Sequence, residues 1–102
     1  MKILLYQKEN MHTEVMGFFL HQYRNEEIHI CHRYVDSPFN WISLFEQAIG
    51  ISCQYITRPD FTQYDKIIFI TSRNLAELVA KGHLDGVDPS RVLQIRHTNQ
   101  DK

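Results

Sequence analysis

Short apolar segments alternate along the chain with segments of helical periodicity, and this alternation restricts the possible folds more than any other feature. The strongest apolar run is KIIFIT at residues 66–71, and a second run, KILLY, occupies residues 2–6. Runs that are apolar at nearly every position predict strands buried on both faces, as in a parallel sheet covered by helices.

The periodicity predicts strands and helices in the order β-α-β-α-β-β-α-β. We expect strands at residues 2–6, 27–32, 51–56, 66–71 and 91–96, and helices at 11–23, 38–49 and 75–81. Residues 57–64 are few for a crossover helix, so at most a short helical turn is expected there. Gly50 and Gly82 follow the second and third helices and predict their ends.

The buried sides of two helices follow from a spacing of 3.6 residues per turn. In the second helix, this spacing places Trp41, Ile42, Phe45 and Ile49 on the buried side. In the first helix, the residues predicted to face the core are Met11, Val15, Phe18, Phe19 and Tyr23.

Strands that alternate with helices favour right-handed crossover connections and a doubly wound sheet. We therefore predict an α/β fold, Rossmann-like, with an open, mainly parallel five-stranded sheet of order 3-2-1-4-5 and helices on both faces. The 102 residues are expected to form a single domain, 1–102, with a loose polar tail at residues 98–102.

Composition excludes several classes of partner. The net charge of −1 makes nucleic acid an unlikely partner, and no apolar run approaches the ~20 residues of a membrane span. The start of the chain does not resemble a secretory signal, and we expect a cytoplasmic protein without a membrane partner. Cys31 and Cys53 could pair in principle, but neither lies in a CxxC motif, and reduced thiols are expected.

The turn after the first strand, QKENMHTE at residues 7–14, contains no glycine. Neither a GxGxxG fingerprint nor a P-loop is present, so no nucleotide cofactor is predicted. No metal site is predicted either, because His29 and Cys31 would share one face of a strand while His32 takes the other. His12 with Glu14 could do acid–base work, but no nucleophile with its base is visible, so catalysis remains an open question.

Charge is sorted between the two ends of the predicted strands. Basic residues follow the strands, whereas acids mostly precede them, with Glu9, Glu14 and Asp36 as exceptions. The acids that precede strands are Glu26, Glu27, Asp60, Asp65, Asp85 and Asp88. Ligands of open parallel sheets bind beyond the carboxyl ends of the strands, which is the basic side here.

A ligand site is therefore predicted at the carboxyl ends of the first and fourth strands, which are neighbours in the order 3-2-1-4-5. The candidate ligand-binding residues are Gln7, Lys8, His12, Thr13, His32, Arg33, Ser72, Arg73, Arg96 and His97. Basic side chains with exposed N–H groups suit a phosphate or a carboxylate. The alternative is that these long side chains are simply solvated over loops.

The same segments resemble the amino-terminal half of a GT-B-type glycosyltransferase. The resemblance rests on KILLY with its polar turn, on YDKIIFITSRN and on RVLQIRHTN. Its characteristic positions are Tyr64-Asp65 before the apolar strand, Thr71-Ser72 after it, and His97-Thr98 after the last strand. The resemblance implies a Rossmann-like half-domain that binds the sugar acceptor and is not a complete glycosyltransferase on its own.

Two functions of different classes therefore remain open. The first is the acceptor-binding half-domain, and the second is a stand-alone module that binds an anionic small molecule or a partner protein without catalysis. In either case the expected partner is a small anionic or sugar-type ligand, with a second domain or a homodimer as a further possibility. Phe39, Trp41 and Phe61 are the aromatics expected near such a surface, although Trp41 also suits the core.

Overall fold

The computed structural model of the chain describes residues 1–7, 13–32, 41–70 and 75–95. The strands are β1 (Lys2–Gln7), β2 (Glu27–His32), β3 (Gln54–Tyr55), β4 (Lys66–Ile70) and β5 (Val92–Ile95). The helices are α1 (Thr13–Gln22), α2 (Trp41–Ile49) and α3 (Leu75–Ala80), with 3₁₀ turns at Phe61–Gln63 and Pro89–Arg91. The turn at Phe61–Gln63 lies in the segment where only a short helical turn was expected.

The strands form one open sheet of order β3-β2-β1-β4-β5, and every pairing is parallel. This confirms the predicted Rossmann-like α/β fold and its strand order. β1 lies in the centre because it pairs with β2 on one side and β4 on the other. Its residues Ile3, Leu4 and Leu5 are completely buried, as a run apolar at every position requires.

One face of the sheet is covered by α1 and α2. The apolar side chains fully or nearly fully buried there are Ile3, Leu5, Met16, Phe19, Leu20, Ile28, Ile30, Ile42, Ile68 and Ile70. The two helices approach closely where Gly17 faces Phe45, since a Cβ on Gly17 would lie 2.6 Å from the Phe45 ring. The predicted core stripe of α1 was wrong at Phe18, which is 60% exposed. Met16 and Leu20 occupy the sheet-facing positions instead.

The other face carries a second apolar cluster, beneath the segment that joins β3 to β4. Its buried members are Leu4, Tyr6, Cys31, Phe61, Tyr64, Ile67 and Phe69. Phe61 was expected near the surface, but its ring lies 5.9 Å from those of both Tyr6 and Phe69 and is buried. Asp60 caps the 3₁₀ turn by accepting from the Thr62 N–H, which fixes Phe61 over the sheet.

β3 is shorter than the predicted strand at residues 51–56. The side chain of Glu46 in α2 accepts the backbone N–H of Cys53 at 2.6 Å and the hydroxyl of Tyr55 at 2.7 Å. Since the Ile56 N–H donates to the Ile30 carbonyl of β2, the alternate Cys53 N–H faces the outer side of β3, and Glu46 satisfies that outward donor. Gly50, with a φ of 83°, ends α2 as predicted and turns the chain toward this bond.

The two cysteines are free and lie on opposite faces of the sheet. Cys31 belongs to the cluster under Phe61, whereas Cys53 packs against the cluster under α1 and α2. Although Cys53 directly precedes β3, the neighbour of β2, this placement is incompatible with the disulfide that two cysteines could form in principle. No helix in the described parts of the chain is long and apolar enough to cross a membrane.

Candidate functional site

The carboxyl ends of the central strands lie level with one another. Gln7, the last residue of β1, is in register with His32, the last residue of β2. Ile70 and Ile95, which end β4 and β5, are also in register with each other. Because Tyr6 pairs with Phe69, β1 and β4 end at the same level as well. These strand ends therefore form one straight edge of the sheet.

The chain leaves this edge toward opposite faces on the two sides of its middle. After β1 it continues into α1, on the face of Ile3 and Leu5. After β4 it continues into α3, whose Leu75 and Leu78 pack against the cluster on the other face. A sheet whose neighbouring strands connect to opposite faces has a crevice between those strands, which is the usual ligand position in open α/β sheets.

Three of the predicted site residues have described backbone at this edge. Gln7 ends β1, His32 ends β2, and Thr13 is the first residue of α1. Gln7 is completely buried, so its amide lies beneath the edge and not on its solvent surface. The remaining predicted site residues lie outside the described residues, namely Lys8, His12, Arg33, Ser72, Arg73, Arg96 and His97.

Basic residues follow three of these strand ends in the sequence. Lys8 follows Gln7, Arg33 follows His32, and Arg96 follows Ile95. Adjacent strands are about 4.8 Å apart, so Gln7 at the end of β1 and Ile95 at the end of β5, two strands apart, lie roughly 10 Å from each other.

At the opposite edge, the acids have local structural roles. Glu26 accepts from the amino terminus of Met1 at 2.7 Å, and Asp65 accepts from the backbone N–H of Lys2 at 2.7 Å. Asp60 and Asp88 cap the two 3₁₀ turns, and the hydrogen bonds from Thr62 and Ser90 lower the pKa of these carboxyls. Capping and tethering thus account for four of the six acids that precede strands, without any ligand.

Sequence reasoning did not identify a hydrogen-bonded polar group in which the buried His29 and Tyr64 are joined to the exposed carboxylate of Glu27. The His29 ring is nearly fully buried, with Nδ1 2.8 Å from the Tyr64 hydroxyl and Nε2 2.7 Å from the Glu27 carboxylate. A carboxylate only accepts, so in the neutral ring Nε2 carries the proton and the tyrosine hydroxyl donates to Nδ1. Burial raises the pKa of the Tyr64 phenol to about 12.

This polar group lies toward the amino ends of the strands, away from the carboxyl edge. Glu27 starts β2, and Tyr64 precedes β4 by two residues. The Lys2 ammonium lies 5.2 Å from the centre of the Tyr64 ring on the same side. The hydrogen bond from Tyr64 to His29 joins the segment between β3 and β4 to β2 in the sheet. His29 is thus a satisfied core histidine, and no group of metal-ligating side chains occurs among the described residues.

Comparisons with protein-family models, with curated proteins and with solved structures give no significant match for this chain. The Rossmann-like fold therefore rests on the strand order and pairing, and no family match supports the glycosyltransferase resemblance. Function has to be argued from the edge described above.

Proposed function

We propose that this domain binds a small anionic ligand at the carboxyl edge of its sheet, in the crevice between β1 and β4. The observation that carries the proposal is the level alignment of the strand ends, Gln7 with His32 and Ile70 with Ile95. Basic residues follow three of these ends directly in the sequence: Lys8, Arg33 and Arg96. The fourth end, that of β4, is followed by TSRN at residues 71–74.

The chemistry of these residue types supports an anion. Arginine offers several N–H donors in a planar fork, and hydroxyl side chains such as Ser72 add donors of lower charge. Since the acids collect at the other edge, where they cap turns and bind the amino terminus, few carboxylates compete for these donors. An open edge with a few charge-assisted hydrogen bonds supports affinities of roughly millimolar order.

A more specific proposal takes its substrate class from the GT-B resemblance. In that arrangement this domain is the acceptor-binding half, and the ligand at the same edge is a sugar-type acceptor. The features in its favour are Tyr64-Asp65 ahead of β4, Thr71-Ser72 behind it, and His97 behind β5. The alternative is an independent binding module for a small anion, in which the same edge takes a phosphate or carboxylate with no sugar.

The test is a titration of the isotope-labelled protein, followed through its backbone amide NMR shifts. Inorganic phosphate and UMP are expected to shift amides at the ends of β1, β2, β4 and β5, and the Arg73→Ala and Arg96→Ala variants to lose most of this response. Arg91→Ala is the matched control, because Arg91 lies at the other end of β5. Thermal unfolding of all three variants shows whether a lost response comes from lost binding or from lost folding.

The outcomes separate the alternatives. Flat shifts at the carboxyl edge, or an Arg91→Ala variant that loses the response as completely as Arg96→Ala, would contradict anion binding. Maltose serves as the neutral sugar probe. Shifts at the same edge with maltose favour the acceptor-binding half-domain, whereas shifts with phosphate but not with maltose favour the anion module.

A further inference from the structure

The turn between α3 and β5 contains the only aspartate in the sequence that precedes a glycine, Asp85-Gly86, and no asparagine precedes a glycine. Both residues are exposed. A hydrogen bond of 3.1 Å from the Val87 N–H to the Leu84 carbonyl closes the turn, so Asp85 and Gly86 are its two central residues. Gly86 has a φ of 83° there, a conformation that glycine adopts without steric cost.

The side chain of Asp85 and the amide of Gly86 are not held by partners. Among the residues that the structure describes, none accepts the Gly86 N–H and none donates to the Asp85 carboxylate. That carboxylate lies over Gly82, with Oδ2 3.0 Å from where a Cβ would be, and a Cβ on Gly86 would meet no atom within 4 Å. Exposed turns with few hydrogen bonds open locally at low cost, so the carboxyl group can rotate toward the Gly86 nitrogen.

The other described aspartates differ from Asp85 in two respects. Each has a carboxylate that accepts a backbone N–H, and each precedes a residue other than glycine. They are Asp60, Asp65 and Asp88, which accept from the N–H groups of Thr62, Lys2 and Ser90 at 3.1, 2.7 and 2.9 Å, respectively. Asp88 precedes Pro89, whose nitrogen carries no hydrogen that could be lost on forming an imide.

We propose that Asp85 is a site of spontaneous backbone modification, at which aspartate converts to isoaspartate through a cyclic imide. The Gly86 amide nitrogen attacks Cγ of the Asp85 carboxylic acid. A bond forms between that nitrogen and Cγ, and the acid hydroxyl leaves as water together with the amide hydrogen. Glycine favours this step because no side chain hinders the approach to its nitrogen.

Water then opens the imide at either of its two carbonyl carbons. Addition at Cγ breaks the new bond to nitrogen and restores aspartate. Addition at the main-chain carbonyl carbon breaks the original peptide bond instead, and the chain then runs through Cγ as isoaspartate. The sequence of steps consumes and releases only water, so it needs no enzyme, oxidant or cofactor.

Isomerisation at Asp85 changes the connection between α3 and β5. The product has an additional methylene group in the backbone between Leu84 and Val87, and the former main-chain carbonyl becomes a free carboxylate. Asp85 also lines an open groove of about 410 Å³ between α3 and β5, so the product alters one wall of that groove. The turn precedes β5, whereas the proposed ligand edge lies at the carboxyl ends of the strands, so either proposal can fail while the other holds.

The test is incubation of the full chain in neutral buffer made with water enriched in heavy oxygen. Each passage through the imide replaces one carboxyl oxygen by an oxygen from the solvent, whichever product forms. After transfer to ordinary water, trypsin releases residues 82–91 as one peptide, because it cuts after Lys81 and Arg91. Fragmentation of this peptide in a mass spectrometer separates Asp85 from Asp88, which is the control within the same molecule.

Heavy oxygen is expected to accumulate at Asp85 with time and to stay at background at Asp60, Asp65 and Asp88. Electron-transfer fragmentation is expected to show isoaspartate at Asp85 alone among these four, through cleavage of its additional backbone bond. Asp85→Glu is the matched variant, because it keeps the charge but would have to close a larger ring. It is expected to lose the label from this position.

Three results would overturn the proposal. The first is an Asp85 that gains no label, or label without isoaspartate, after weeks of incubation. The second is label at Asp60 or Asp65 equal to that at Asp85. The third is an Asp85→Glu protein, shown by circular dichroism to be folded, that takes up as much label at this position as the wild type.

Discussion

The hydrogen bond between His29 and Tyr64 joins parts of the chain 35 residues apart. Tyr64→Phe removes the hydroxyl donor and leaves the His29 Nδ1 acceptor buried without its partner. A buried group that loses its partner costs about 1–3 kcal/mol, so we expect Tyr64→Phe to lower the free energy of unfolding by that amount. Urea unfolding followed by circular dichroism measures the change.

Tyr23→Phe is the matched control, because the Tyr23 hydroxyl accepts from Lys66 at 3.2 Å in a partly exposed position. Its loss is expected to cost at most about 0.5 kcal/mol, as for other weak surface contacts. A double-mutant cycle with His29→Gln isolates the pair. Additive effects in that cycle would mean that the two side chains do not stabilise each other.

At the scale of the helix, the contact between Gly17 and Phe45 sets how closely α1 and α2 pack. A methyl group on Gly17 would lie 2.6 Å from Cε1 and 2.9 Å from Cζ of the Phe45 ring, so the ring must move. Alanine is the better helix former by about 1 kcal/mol, but overpacking costs about 1–3 kcal/mol. We therefore expect Gly17→Ala to destabilise the wild type by about 1 kcal/mol.

The same substitution is expected to stabilise a Phe45→Leu background, where the smaller side chain leaves room for the methyl group and only the helix preference remains. The urea midpoints of the wild type, Gly17→Ala, Phe45→Leu and the double variant test this expectation. If Gly17→Ala stabilises both backgrounds equally, the ring moves aside freely and the contact does not set the helix spacing.

For the whole molecule, ionisation limits stability on the alkaline side. Burial raises the pKa of the Cys53 thiol from 9.0 to about 12 and that of the Tyr64 phenol from 10.0 to about 12. The unfolded chain therefore loses these protons first, and the stability falls as the pH rises from about 9 to 12. The bond to Glu26 raises the pKa of the Met1 amino group above 8.0, which acts in the same direction.

At acidic pH the dependence of stability on pH has the opposite sign, because stability is lost as the pH falls. Hydrogen bonds lower the pKa of Asp60 and Asp88 below 3.8, so the stability they contribute is present above that pH and is lost as the pH falls through the folded values. We expect urea midpoints to be nearly constant from about pH 5 to 8 and to fall on both sides. Cys53→Ala should flatten the decline above pH 9, and an unchanged decline would show that this thiol does not contribute.

Much of the fold was predictable because buried parallel strands have an unmistakable composition. KIIFI and KILLYQ are apolar almost throughout, and chain connectivity with right-handed crossovers then leaves few strand orders. Side-chain placement was less predictable where neighbouring positions are both apolar, as at Phe18 and Phe19. The hydrogen bonds from Cys53 and Tyr55 to Glu46 join the β3 segment to α2, and no local pattern indicates them.

The candidate site was predictable only in outline. Strand order and the residues after each strand suffice to place Gln7 and His32 at one edge. The acids that seemed to be the counterpart of that edge turned out to have their own local partners, such as Asp65 with Lys2. The link between His29 and Tyr64 was not predictable, because it joins segments far apart in sequence through a loop without periodicity.

The central position of β1 has a consequence for the order of folding. Its contacts with β2 close a chain separation of 25 residues, from Lys2 to Glu27, whereas its contacts with β4 close one of 63, from Ile3 to Lys66. The longer closure costs about 0.8 kcal/mol more in chain entropy. We therefore expect the half-sheet β1-β2-β3 to form first and, until β4 pairs with it, to present the unpaired backbone edge of β1. During synthesis, β4 is complete only once Ile70 has been made, so we expect aggregation through the β1 edge to be favoured before that point.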